Sequence, residues 1–192
     1  MRGKTKTIAL IAAFALFIAG SVWLYNSLKA NTNALPEVEN EQGEVQTGET
    51  GEAEKTKAPD FTVYDAEGKA VKRSDMQGTP VVLNFWASWC PPCKSEMPDF
   101  DAVYQELGGE VQFMMVDLTD GGRETAETGA AYIKEQGYTF PVFFDTDGEA
   151  ARAYAVRSIP TTMFIDKDGY IVTGVQGAIS EANLRRGIDL IR

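Results

Sequence analysis

From residue 59 onward, short apolar runs alternate with longer and more polar stretches. Two of the runs, residues 81–86 and 111–117, are almost continuously apolar, which is typical of central strands buried on both faces of a sheet. Between them, residues 91–107 form a predicted helix that a Gly-Gly pair ends. The other predicted strands are residues 58–64, 141–144, 161–165 and 170–175, and the other predicted helices are residues 124–136, 148–154 and 180–191.

The order of these elements predicts the fold class. Strands and helices alternate through the first part of the domain, and a hairpin and a final helix follow. The step Asp168-Gly169 suits the tight turn of that hairpin, and Ser180 is a candidate N-cap for the final helix. The sequence therefore predicts an α/β sandwich in which helices flank a mixed sheet.

The N-terminal part of the chain follows a different pattern. Residues 8–25 are 18 consecutive uncharged positions dominated by Ala, Ile, Leu and Phe. As a helix they would extend for roughly 27 Å, close to the thickness of a bilayer's hydrocarbon core. The basic residues within 1–7 place the N-terminus in the cytoplasm and the rest of the chain outside. We expect an uncleaved, single-pass signal-anchor in a bacterial cell membrane, with a cleaved signal peptide as the alternative.

Residues 26–58 link this segment to the predicted domain at residues 59–192. They contain seven glutamates interleaved with Gly, Thr, Asn and Gln, and no aromatic residue. Such a composition cannot bury enough apolar surface to offset the entropy lost on ordering. We expect an acidic, flexible stalk that carries the domain on the extracytoplasmic side.

Composition and charge exclude several classes of function. The chain has 28 acidic and 18 basic residues, a net charge of -10, which argues against a nucleic-acid partner. It has no histidine, so Ser-His and Cys-His catalytic pairs are impossible and the commonest metal ligand is missing. We expect neither a metal nor another cofactor.

The two cysteines of the chain form one pair, Cys90-Pro91-Pro92-Cys93, between a predicted strand and a predicted helix. A helix N-terminus stabilises a thiolate, and Pro91 suits the first helical position. Cys90 is therefore predicted to be the exposed nucleophile, and Cys93, one turn further in, the buried resolving thiol. A structural disulfide and half of a zinc site are the alternatives, but so short a loop gains little stability and other zinc ligands are lacking.

Two motifs resemble a known family. The segment from Phe85 to Lys94, FWASWCPPCK, resembles the active site of the TlpA/ResA-like membrane-anchored proteins of the thioredoxin fold, and the segment from Ile159 to Thr162, IPTT, resembles the loop that faces it there. The resemblance implies a thioredoxin fold with an N-terminal strand extension. It also implies a helix-strand insertion, which the elements predicted between Asp117 and Ile159 match.

The same resemblance implies roles for residues around the cysteines. Trp89, Pro91, Pro92, Ile159 and Pro160 would contact substrate, with Pro160 in the cis form. A buried core aromatic is the alternative for Trp89.

One position departs from thioredoxin. Thioredoxin has a buried aspartate six residues before its first cysteine, and this chain has Asn84 there. Glu96 is the nearest substitute, because it lies three residues after Cys93 on the same helical face. The resemblance implies that Glu96 tunes the cysteines, whereas an acid merely favoured by the helix dipole is the alternative.

The resemblance implies a thiol-disulfide oxidoreductase that reduces disulfides of exported proteins, for example apocytochrome c. Its electrons would come from a membrane thiol carrier like CcdA or DsbD. An extracytoplasmic oxidase or isomerase is the alternative. A thiol peroxidase is disfavoured because Leu83 and Ala87 stand where that chemistry needs Pro and Thr or Ser, and a copper-binding module lacks its His ligand.

Overall fold

The computed structural model describes residues 56–192, and the predicted segments 1–7, 8–25 and most of 26–58 lie outside that range. The strands are β1 (Thr56–Lys57), β2 (Thr62–Tyr64), β3 (Ala70–Lys72), β4 (Val81–Trp86), β5 (Gln112–Asp117), β6 (Val142–Phe144), β7 (Thr161–Ile165) and β8 (Tyr170–Gln176). The α-helices are α1 (Pro91–Leu107), α2 (Ala126–Gln136), α3 (Glu149–Ala153) and α4 (Glu181–Asp189), and a 3-10 helix spans Arg73–Met76.

All eight strands belong to one mixed sheet, in the order β1-β8-β7-β4-β5-β6-β2-β3. Strands β4, β5 and β6 are parallel, and β7 pairs antiparallel with β4 on the other side. The hairpin β7–β8 follows β4 toward one edge, and the hairpin β2–β3 extends the sheet beyond β6 at the other edge. The predicted mixed sheet, its N-terminal strand extension and the inserted helix and strand, α2 and β6, are all confirmed.

The core has two parts, one on each face of the sheet, and β4 contributes to both. Val82 and Trp86 pack on the face covered by α1 and α4, together with both cysteines. Val81, Leu83 and Phe85 pack on the opposite face with α3 and the N-terminal extension. Every residue of β4 is buried, which explains its continuous apolar pattern.

The chain enters the fold earlier than predicted. Thr56 and Lys57 pair with Ile171 and Tyr170 of β8, and Ala58 is buried, so the domain begins three residues before position 59. Strand β3 and the 3-10 helix were not predicted, because residues 70–76 have neither a continuous apolar run nor apolar positions at helical spacing.

The last helix also differs from its prediction. It ends at Asp189 rather than residue 191, and the Ser180 hydroxyl makes no capping hydrogen bond. The backbone N–H of Glu181 donates instead to the Asp99 carboxylate of α1, at 3.0 Å. A side chain from a neighbouring helix thus supplies the cap and fixes the start of α4 against α1.

Within residues 56–192, no helix is both long and apolar enough to cross a membrane.

Close contact between α4 and the sheet depends on Gly187. A Cβ atom at this buried position would overlap the ring of Phe164 on β7. We expect Gly187→Ala to lower the free energy of unfolding in urea by about 1–3 kcal/mol, because the ring must leave its packed position. Gly109→Ala is the matched control, since its new methyl group meets open space. Equal losses in both variants would contradict the packing argument.

Candidate active site

The cysteine pair lies where β4 passes into α1. The chain leaves β4 after Trp86 and turns through Ala87, whose carbonyl oxygen accepts the Cys90 N–H at 3.1 Å. Cys90 is the N-cap of α1, and its Sγ accepts the N–H of Cys93 at 3.2 Å. Pro91 and Pro92 carry no N–H, so Cys93 has the first free donor of the helix, and this donor faces the Cys90 sulfur.

The two cysteines form a disulfide with an S–S distance of 2.08 Å. Cys93 is completely buried, as predicted. Cys90 is only 2% exposed, so the prediction of an exposed nucleophile is wrong for this oxidised form. The reason is the loop before β7, where the carbonyl oxygen of Ile159 lies 3.8 Å from Cys90 Sγ.

Cys90 is nevertheless reachable from one side, because it forms part of the wall of a groove of about 490 Å³. The groove contains four of the five residues expected to contact substrate: Trp89, Pro91, Pro92 and Ile159. Its other walls come from the segment after β5 and the loop before β7, through Leu118, Asp120, Val156, Arg157 and Ser158.

The fifth expected residue, Pro160, is buried and does not line this groove. The Ile159–Pro160 peptide bond is cis, which confirms the form implied by the resemblance. Pro160 accepts the N–H of Gly177 through its carbonyl oxygen at 2.8 Å, and this bond ties the loop to the end of β8. Ile159 rather than Pro160 thus lines the groove beside Cys90.

Trp89 is a surface residue, so the alternative of a core aromatic is wrong. Trp89 is 38% exposed, and the Arg123 guanidinium lies 3.7 Å from the centre of its ring. A cation held over an aromatic face keeps that ring in one orientation. Trp89 thus lines the groove beside Cys90 as an exposed aromatic residue.

Glu96 is 1% exposed, and it lies beyond the first turn of α1, which holds no acid. The helix dipole alone therefore does not account for this residue. Its Oε1 accepts from the Asn84 side-chain amide at 2.9 Å, and its Oε2 accepts from the Ile179 N–H at 2.9 Å. Asn84 in turn donates to Thr162 of β7 at 3.0 Å. Burial raises the pKa of Glu96 to about 7, although these two hydrogen bonds favour the charged form.

A second group of residues lies beside the cysteines and was not predicted from the sequence. Ser88 donates its hydroxyl to Glu124 Oε2 at 2.8 Å, and Glu124 is buried near Asp117 at the end of β5. The sequence does hold one indication of this group: Asp117 is an acid at the end of an apolar strand, and that strand pairs with the strand leading to the cysteines. Arg123, above Trp89, was missed because it belongs to a polar loop with no motif.

Among residues 56–192, no cluster of three or more His, Cys, Asp or Glu side chains could hold a metal ion. The chemistry that the arrangement supports is thiol–disulfide exchange. One sulfur caps a helix and is open to a groove, and the other is buried beside an acid whose pKa is near neutrality.

Known proteins are similar to this chain in sequence and in fold. Residues 55–173 match the model of the AhpC/TSA family. The thiol-disulfide oxidoreductase ResA of Bacillus thuringiensis subsp. konkukian is 36% identical over 130 residues, which are 66% of this chain and 72% of that protein. The thiol-disulfide oxidoreductase ResA of Bacillus subtilis (strain 168) is 34% identical over 149 residues, which are 77% of this chain and 81% of that protein.

A solved structure gives the same result for the fold. The exposed lipoprotein thioredoxin Etrx1 of Streptococcus pneumoniae strain TIGR4 is 34% identical and matches with a TM-score of 0.58, over 69% of this chain and 100% of that one. With the cysteine pair, the loop at Pro160 and the buried acid all in place, the chain belongs to the ResA family of thiol-disulfide oxidoreductases and is an enzyme of the thioredoxin fold.

Proposed function

We propose that this protein is anchored in a bacterial cell membrane and reduces disulfides of exported proteins on the extracytoplasmic side. Apocytochrome c is the substrate that the family resemblance favours, and a membrane thiol carrier like CcdA or DsbD would supply the electrons. The observation that carries the proposal is the Cys90–Cys93 disulfide at the N-terminus of α1, open to a groove beside Ile159.

The reaction begins from the dithiol. The Cys90 thiolate attacks one sulfur of the substrate disulfide, a mixed disulfide forms, and the first substrate thiolate leaves. Cys93 then loses its proton and attacks the Cys90 sulfur, which closes the Cys90–Cys93 bond and releases the second substrate thiolate. The substrate gains two electrons, and the carrier's dithiol restores the pair.

Glu96 is the group proposed to receive the Cys93 proton. It lies one helical turn from Cys93, and its pKa of about 7 lets it exchange protons at neutral pH. Asn84 and the Ile179 N–H hold its two oxygens, so the carboxyl group stays in place whether or not it carries the proton.

Two kinds of observation support the location. Residues 8–25 have the length and apolarity of a membrane-spanning helix, and basic residues precede them. The related Etrx1 is described as an exposed lipoprotein, which places a protein of this fold outside the cytoplasm. An acidic stalk from residue 26 would hold the domain away from the bilayer surface.

An extracytoplasmic oxidase remains the second candidate, because the two reactions use the same site and differ only in the potential of the cysteine pair. Hydrogen-bond donors to the Cys90 sulfur stabilise the thiolate of the reduced pair. A more stable reduced pair makes the disulfide form a stronger oxidant of substrates. Only one such N–H, that of Cys93, is free in the first turn because Pro91 and Pro92 have none. This limited stabilisation favours the reductase.

Trapping tests the exchange mechanism and identifies the substrate. Cys93→Ser removes the resolving thiol, so Cys90 should accumulate substrates as mixed disulfides that mass spectrometry identifies. The double variant Cys90→Ala with Cys93→Ser is the control and should trap nothing. Recovery of c-type apocytochromes supports the reductase, and recovery of many unrelated secreted proteins supports the oxidase. An empty trap in the single variant would contradict both.

Substitution of Glu96 tests its role as proton acceptor. Glu96→Gln should slow resolution of the mixed disulfide on the order of 10- to 100-fold. This loss is no larger than the usual contribution of a general base, because the Cys93 thiol can also ionise without one. In the wild type this rate should rise as pH increases through about 7, where Glu96 ionises. In the variant the rise should be displaced to the higher pH at which the Cys93 thiol ionises unaided.

Glu106→Gln is the matched control, because Glu106 lies on the same helix but is exposed and pairs with Arg185.

The pH dependence of stability gives an independent check of the raised pKa of Glu96. Because burial raises the pKa of Glu96, the wild type should lose stability relative to Glu96→Gln as pH rises from about 4.5 through about 7. A wild-type pH profile in the Gln variant would remove Glu96 from the mechanism.

Protease accessibility tests the location. In intact protoplasts, protease added outside should digest the domain while a cytoplasmic marker survives, and the undigested protein should sediment with membranes through carbonate washing. A full-length chain in the membrane fraction supports the anchor. A chain that lacks its first residues and appears in the medium would identify a cleaved signal peptide instead.

A further inference from the structure

A second pair of buried acids lies beside the active site and has no part in the exchange steps above. Asp117, the last residue of β5, and Glu124, in the segment between β5 and α2, are both completely buried. Asp117 pairs in register with Trp86, the last residue of β4 before the turn to the cysteines. Burial of two acids at this point needs a physical explanation, because unpaired charges are costly in a protein interior.

The two carboxyl groups converge on one point. Gly129 of α2 lies against them, and a Cβ atom there would overlap Asp117 Oδ2 and lie 3.3 Å from Glu124 Oε1. Within residues 56–192, no backbone or side-chain donor reaches either oxygen of Asp117 or Oε1 of Glu124. A hydrogen bond between the two groups therefore requires that one of them carry a proton.

The properties of Asp117 agree with a shared proton. Burial raises its pKa to about 9, and the adjacent carboxyl group of Glu124 acts in the same direction. A proton on Asp117 would avoid two adjacent negative charges in the protein interior.

The other charged groups around the pair are already engaged. Asp120 accepts the N–H groups of Gly122 and Glu124, and Arg123 lies over Trp89. Asp145, at the end of β6, donates its N–H to the Asp117 carbonyl oxygen, while its carboxylate accepts the N–H groups at the start of α3. On α2, Glu127 is exposed. None of these side chains satisfies the three unpartnered oxygens.

The second carboxyl oxygen of Glu124 links the pair to the active site. Glu124 Oε2 accepts the Ser88 hydroxyl at 2.8 Å, and Ser88 stands inside the turn from Ala87 to Cys90. An adjacent residue in each segment forms a second link, because Arg123, which precedes Glu124, lies over Trp89, which follows Ser88. The segment between β5 and α2 therefore contacts the turn before Cys90 at two neighbouring positions, Ser88 and Trp89.

We propose that Asp117 and Glu124 are positioning residues of the exchange reaction: a proton shared between them keeps Glu124 hydrogen-bonded to Ser88 and so holds Cys90 at the start of α1. The proposal builds on thiol–disulfide exchange at Cys90. A fixed turn keeps the Cys90 sulfur on the Cys93 N–H, which stabilises its thiolate. Without the link the sulfur moves relative to this donor and its pKa rises.

Alkylation of the reduced, full-length protein by iodoacetamide measures this effect, since the thiolate is the reactive form. Ser88→Ala and Glu124→Ala should each lower the alkylation rate of Cys90 at pH 6 about threefold, the size of a weakened helix-terminus interaction. Glu124→Gln should keep the wild-type rate, because its amide oxygen accepts from Ser88 and its N–H donates to Asp117. Ser88→Ala removes only a part-buried hydroxyl, so it tests the link even if Glu124→Ala fails to fold.

The shared proton has its own readout in the oxidised protein. A carboxyl group with a raised pKa binds its proton more tightly when folded, so its contribution to stability is lost as pH rises toward about 9. The melting temperature of the wild type should therefore fall more between pH 7 and 10 than that of Asp117→Asn. The asparagine amide donates to Glu124 without a titrating proton.

Asp145→Asn is the matched control, because Asp145 is also a buried aspartate that ends a neighbouring strand. It should destabilise the fold but leave Cys90 alkylation and the alkaline melting curve as in the wild type. Wild-type alkylation in Ser88→Ala, or an equal loss in Asp145→Asn, would overturn the proposal. A calcium-dependent rise in melting temperature that Asp117→Asn abolishes would also overturn it, since the pair would then hold a cation. Failure of the wild-type disulfide to exchange would contradict the proposed function instead.

Discussion

Strand β4 is buried on both faces, and the positions of the cysteine pair, Glu96 and Asp117 all depend on it. Its C-terminal end leads to Cys90 and the start of α1, and its middle residue, Asn84, holds the Glu96 carboxyl group. Because β4 pairs with β5 on one side and β7 on the other, it also brings Asp117 and the loop at Ile159 next to the cysteines. A buried central strand thus fixes the positions of groups that lie far apart in the sequence.

The two buried acid sites show how hydrogen bonds moderate the effect of burial. Glu96 accepts from two donors, and its pKa rises only to about 7, so both of its protonation states are populated at neutral pH. Asp117 lacks a donor within the described chain and has a second acid beside it, and its pKa rises to about 9. The first environment suits a group that exchanges protons, and the second suits one that retains them.

Local patterns in the sequence predicted much of this structure. The bounds of β4 and α1 were predicted correctly, because a continuous apolar run and a Pro-to-Gly interval are strong local signals. The burial of Cys90 was not, since it depends on contact with Ile159, 69 residues away. The capping of α4 by Asp99 and the pairing of Asp117 with Glu124 likewise depend on tertiary contacts. The link between Asn84 and Glu96 was anticipated only as a replacement of one acid by another, and the structure joins them directly.

The single open side of Cys90 has a consequence for turnover. The groove between Trp89 and Ile159 gives access to Cys90, so two partners that exchange disulfides with its sulfur through this groove must occupy the same space in turn. Each is a competitor of the other, and a partner that stayed bound after its half-reaction would block the next one. The groove must therefore release both partners quickly, and selection on such a surface favours short residence over tight affinity.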